Sequence, residues 1–141
     1  MEIARYEKRV IAYFIDLMVA FLPCLAIGIN IYLDVPLTQN IPIYFYVLGV
    51  QFATYILFVL LSIFFVMVSN GYTLGALIFG IRAVHLDRSR ITFRDAIIRS
   101  ITIGVLPMVL VNAIYMITIH TERTIFDRIT ETVVVDYRRR G

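Results

Sequence analysis

Long apolar runs separated by short polar breaks set the pattern of this chain. Residues 10–33, 43–68 and 101–119 are almost wholly apolar. A helix needs about 20 such residues to cross a bilayer, and the first two runs meet that length. Between them lies a polar turn with Pro36 and Pro42, which cannot continue a helix. The second run opens on Tyr44, Phe45 and Tyr46, as an aromatic belt at a membrane surface does. It closes on Ser69-Asn70-Gly71, a helix stop. The third run carries Pro107 near its middle. It predicts a kinked span, or a re-entrant hairpin with short arms at 101–106 and 108–119.

The stretch between the second and third runs is different. Residues 72–81 offer only about ten apolar positions before Arg82, which suits an interfacial helix rather than a span. Residues 83–93 read as strand, turn, strand, a short β-hairpin. Residues 94–99 begin a helix with its polar face toward water. The tail 132–137 reads as a β-strand, and Val133–Val135 could pair with residues 83–86 if both lie on one side of the membrane. The expected fold is thus an all-α membrane protein. It has two full transmembrane helices, an interfacial helix with a short β-hairpin, and a third segment kinked or re-entrant at Pro107.

Composition agrees. The 141 residues are 60% hydrophobic and only 16% charged, with a mean hydropathy of +0.85. Soluble domains run nearer 45–50% apolar. One domain spanning residues 1–141 is expected, without repeats or linkers. The first apolar run resembles a signal peptide only superficially. It is too long, contains Asp16, and lacks a small-residue cleavage site, so it should stay attached as a helix. Twelve of the 13 basic residues are Arg, clustered at 5–9, 82–99 and 123–140. That is a membrane-surface pattern facing anionic lipid head groups, not a nucleic-acid footprint. Cys24 stands alone and can form no intrachain disulfide. Residues 33–42 carry no Lys or Arg and should lie outside. The N-terminus is then cytoplasmic, and a re-entrant third segment would leave the C-terminus cytoplasmic too. The expected location is the cell membrane.

The candidate chemistry centres on Asp16, a carboxylate inside the first apolar run. At the middle of a membrane helix it costs roughly 2.5–3.5 kcal/mol on insertion scales. It needs a partner or a task. Arg9 lies on the same helix face but about 10 Å away along the axis, too far for a direct bridge. Ala12, Asp16 and Ala20 form a stripe spaced by four, so another helix can approach closely. Gln51, Tyr55 and Ser62 on the second helix, with Asn112 in the third segment, are the natural hydrogen-bond candidates for Asp16. One reading makes Asp16 a cation or proton carrier, and the other makes it architectural. Gly71, Gly75 and Gly80 fall at helical spacing with Ala76 and point to close helix packing. Without a Walker Lys-Ser/Thr, a phosphate loop is the weaker reading. Asp127, flanked by Arg123 and Arg128, could cap a helix or pair with Arg9 or Arg99. His85 and His120 lack ligand spacing and read as surface residues. No metal set, nucleophile–base pair or dinucleotide fingerprint appears, so neither a cofactor nor an enzymatic activity is expected.

Taken in order, these residues resemble a known family. Arg9-x-x-Ala12-x-x-x-Asp16 is followed by Gly71-x-Thr73-Leu74-Gly75, Ile81-x-Ala83-Val84, Arg99, and Asp127-x-x-x-x-Thr132-x-Val134-Val135. This set looks like the RDD family of small membrane proteins, named for one arginine and two aspartates. The matching positions are Arg9, Asp16 and Asp127. Three positions depart from the family pattern: Ala76 where a lysine is common, Glu131 where a glycine is, and Phe126 where a histidine often precedes the last aspartate. The resemblance implies a multi-pass architecture. It also implies association with other membrane or secretion components, or transport, with cation/proton exchange among the activities linked to members. The expected function is therefore a subunit of a larger membrane assembly or a homo-oligomer, with cation/proton transport through Asp16 as an added activity. The alternative is an assembly subunit with no transport.

Overall fold

The computed structural model describes residues 2–34, 41–87, 89–104, 106–119, 121 and 123–137. Helix α1 (Tyr6–Asp34) and helix α2 (Ile43–Val68) are long and apolar enough to cross a membrane. They pack along one another, with Tyr13 and Phe58 edge to face at 5.5 Å. Tyr13, Ala20 and Phe58 are buried in this seam, whereas outward residues such as Leu22, Phe52 and Phe64 stay open to the surroundings. That is the pattern of helices whose solvent on the outside is lipid. Polar groups within the helices bond their own backbone: Thr54 to the Val50 carbonyl at 2.7 Å and Asn30 to the Ala26 carbonyl at 2.7 Å. The turn between the two helices falls in residues 35–40, outside the described residues.

Helix α2 stops where the sequence predicts. Asn70 and Gly71 take positive φ values of 57° and 106°, conformations that Asn and Gly tolerate best. A short helix α3 (Leu74–Phe79) follows, capped by Thr73 and closed by Gly80 in the left-handed region. The three glycines therefore do not share one helix face. Gly71 and Gly80 are turn residues, with Gly71 close against the Ala83 carbonyl, and Gly75 supplies the expected close approach of one helix to another. Its missing Cβ is what lets α3 lie on the Ala12 backbone of α1.

Strand β2 (Ile81–His85) does not form a local hairpin. Its partner is strand β3 (Thr132–Asp136), antiparallel, with Ala83 opposite Val134 and Val84 opposite Val133. Strand β1 (Glu2–Ile3) lies on the other side of β3, giving the order β1-β3-β2. The expected second strand fails at Thr92. Its hydroxyl accepts from the Asp95 backbone N–H at 3.3 Å and starts helix α4 (Phe93–Gly104). Helix α5 (Leu106–Thr118) continues the third apolar segment after a bend of 98°. This break beside Pro107 is the expected kink. Helix α6 (Ile125–Ile129) leads into β3. The sheet gathers residues from both ends of the chain beside the start of α1. A second core of small side chains, with Ala4, Ala12, Ala76, Ala83, Ala96 and Val134, fills the space between sheet and helices.

Candidate functional site

Two polar centres lie along the buried side of α1. The first is built on Asp127, which is 1% exposed. Locally it belongs to a capping box. The Thr124 hydroxyl accepts from the Asp127 N–H at 3.0 Å, and the Asp127 carboxylate accepts from the Thr124 N–H at 3.1 Å. The same carboxylate takes an ion pair from Arg9 on one oxygen and from Arg99 on the other. Arg99 also donates to the Thr132 hydroxyl at 2.6 Å. Arg123 donates to the carbonyls of Asp127 at 3.2 Å and Thr132 at 3.1 Å. Burial alone pushes the Asp127 carboxyl up, but the Arg99 and Arg9 charges outweigh it and hold the group far below the usual carboxylate range. The cluster joins α1, α4, α6 and β3 through one anion.

Arg99 corrects the sequence reading of its helix. It points inward and is buried, not toward water. Arg9 likewise reaches a protein carboxylate. Lys8 adds a bridge from α1 to Asp136 on β3. His85 is not a free surface histidine either, since its Nε2 lies 3.0 Å from Asp95 on α4, though not aligned for a hydrogen bond. His120 and Arg138–Arg140 fall outside the described residues.

The second centre is Asp16. Its carboxylate accepts from the Thr73 hydroxyl at 2.5 Å and from the Gly75 backbone N–H at 2.7 Å. Thr73 in turn accepts from the Ala76 N–H at 3.2 Å. Asp16 thus caps the start of α3 from a neighbouring helix. None of the four expected partners fills that place. Gln51 is exposed on the outer face of α2. Tyr55 bonds the Ile101 carbonyl at 3.3 Å, and Asn112 accepts from the Ile125 N–H at 3.3 Å. Ser62 is buried and lines a small space beside Asp16 and Thr73, but the hydrogen bonds of Asp16 go to the start of α3. Spacing along α1 and α2 pointed to helix–helix bonds, whereas the start of the short helix that follows α2 and packs on α1 provides the donors. The cap role of Thr73 was missed, although a threonine just ahead of a short apolar run is a signal for it. Thr124-x-x-Asp127 is likewise a capping signature.

A cavity of about 150 Å3 is lined by residues of both centres, Asp16 and Thr73 from one and Arg9 and Arg99 from the other, together with apolar Tyr13, Phe58, Ile103 and Val109. Among the described residues no group of His, Cys, Asp and Glu is arranged to hold a metal ion.

Two apolar helices, a bent third segment and a buried Arg–Asp–Arg cluster define a small helical membrane protein. The family profile of the RDD family matches residues 3–131, nearly the whole chain, and the protein belongs to that family. No curated protein and no solved structure matches the chain.

Proposed function

We propose that this protein is a non-enzymatic membrane subunit that works by assembly, with a second copy or with other membrane proteins. The observation that carries this reading is where the three family-defining residues spend their bonds. Arg9 and Asp127 bind each other, and Asp16 binds Thr73 and Gly75. Each therefore ties separate parts of the chain into one body, as an architectural set does. Two spans and a bent segment also offer little wall for a conduction path within one copy. The cell membrane is the proposed location, with both ends cytoplasmic. The shared sheet of β1, β2 and β3, and the absence of Lys and Arg from residues 33–42, support that orientation. Purification in mild detergent tests the assembly reading. A fixed partner or a defined oligomer is expected, and a monodisperse single copy would overturn it.

A second reading is cation/proton exchange through Asp16, and the cavity that reaches this carboxylate favours it. In proteoliposomes the wild type would move cations and Asp16→Asn would not. No flux from the wild-type assembly would exclude this reading.

A further inference from the structure

An arginine outside both polar centres is held in an unusual way. Arg82 lies on β2, and its Nε–H donates to the Asn70 carbonyl at 2.5 Å. Asn70 comes just after the last residue of α2, so the guanidinium is tied to the level at which this apolar helix ends. Two rings flank it. The Arg82 Cζ lies 5.7 Å from the centroid of the Tyr72 ring and 5.8 Å from that of the Tyr137 ring. Tyr72 belongs to the turn after α2 and Tyr137 follows β3, so two distant parts of the chain fix one side chain. Cation–π attraction holds the guanidinium between them and leaves its charge intact.

A guanidinium donates from Nε and from both terminal nitrogens. Only the Nε is used here. Among the described residues no acceptor meets either terminal nitrogen, and no carboxylate pairs with Arg82. Nor are those nitrogens enclosed, as the unbonded Nε of Arg123 is. Lys8, Arg9 and Arg99 meet protein carboxylates, whereas neutral groups alone hold Arg82. What remains is an oriented fork of N–H groups with its full charge. Such a fork matches two oxygens of a phosphate. The end of an apolar spanning helix lies at the depth of lipid head groups, where tyrosine rings also concentrate.

We propose that Arg82, clamped between Tyr72 and Tyr137, is a binding site for the phosphate of a membrane lipid head group. The terminal N–H groups donate to two phosphate oxygens, and the Asn70 carbonyl sets the direction of the fork. A free surface arginine loses rotamer freedom on binding, but here Asn70 and the two rings have already ordered it. The site rests only on the chain lying in a membrane, and not on the assembly or exchange readings.

The test uses the delipidated full chain in maltoside micelles. Short-chain phosphatidylglycerol is titrated, the first retained lipid is followed by native mass spectrometry, and Tm is recorded in parallel. Saturable retention with a rise in Tm is expected from the wild type. Arg82→Gln should weaken retention about tenfold, through loss of the charged fork. Arg82→Lys keeps charge and length without the fork, and should weaken it roughly threefold. It stays decisive if Arg82→Gln does not fold. Tyr72→Leu and Tyr137→Leu should each weaken it about two- to fivefold. Arg90→Gln, which removes an exposed arginine beyond the other end of β2, should leave it unchanged. Wild-type retention by Arg82→Lys, or an equal loss in Arg90→Gln and Arg82→Gln, means a general charge effect and overturns the site. A folded wild type with no saturable retention overturns it too. Inorganic phosphate is titrated separately, and a response to it without one to the lipid overturns the lipid as the source.

Discussion

The two aspartates that define this family sit in opposite electrostatic settings. Asp127 is enclosed and faces two guanidinium groups, with backbone N–H support from its own capping box. Asp16 lies within a spanning helix, and among the described residues its hydrogen-bond donors are neutral, with the Thr73 hydroxyl and the Gly75 backbone N–H among them. Full charges neutralise the first, and dipoles stabilise the second. The contrast teaches that a buried carboxylate can serve as a knot or as a cap. Its neighbours decide which. The knot is the stronger device, because removing its anion leaves two arginines buried against each other.

That contrast can be broken most severely at the knot. Asp127→Ala strands Arg9 and Arg99, and should cost about 3–5 kcal/mol, the range for breaking a buried ion pair. Thermal unfolding in detergent should show loss of a cooperative transition or a large fall in Tm. Next comes the contact beneath the cap. A Cβ at Gly75 would run into the Ala12 backbone, so Gly75→Ala should cost about 1–3 kcal/mol by overpacking. An equal stability of Gly75→Ala and wild type would mean that α3 does not lie on α1 this closely. The cap itself is a term of comparable size. Thr73→Val removes one hydrogen bond to Asp16 and should cost about 1–3 kcal/mol, since it leaves a carboxylate oxygen short of a donor. Asp16→Asn, which still accepts one bond, should cost less than Thr73→Val in the same assay.

Acid sharpens the difference further. The folded pKa of Asp127 is depressed below its unfolded value, near the ordinary 3.9 for Asp. Its contribution is therefore fully present above about pH 4 and fades as pH falls toward the folded pKa. Stability of the wild type should decline below about pH 4, and Asp127→Asn should lack that part of the acid limb. The smallest effect is expected at the bridge from α1 to β3. The Lys8 side chain is 35% exposed, so Lys8→Ala should change stability by only about 0–1 kcal/mol.

Several features were legible in the residues, each for a local reason. The range 43–68 coincides with α2, because a polar turn with proline precedes it and Ser69-Asn70-Gly71 follows. Helix α1 begins earlier than the apolar run, at Tyr6, since Arg9 and Lys8 reach sideways to carboxylates and need no water. The pairing of Val133 and Val134 with β2 was also readable, from two short β-prone segments. The local hairpin was misread because Ile91-Thr92-Phe93 has strand-like composition. Thr92 instead serves as the cap of α4, a use that β propensity does not register. The polar face of residues 94–99 was misread at Arg99, because a charge in an amphipathic helix usually faces water, although its pairing with Asp127 was among the expected ones. Only the arrival of Asp127, 28 residues later, makes burial affordable.

The sequence by itself determined the solvent this protein folds in, the positions of its two spans, the break near Pro107 and the residues that carry charge inside. Those follow from local hydropathy, proline geometry and the cost of a carboxylate among apolar groups. The tertiary structure alone decided which donors meet which carboxylate. Asp16 met the start of a six-residue helix instead of its expected partners, and Asp127 took both arginines from distant helices at once. Partners of this kind are set by how the segments pack in space, which spacing along a single helix does not encode.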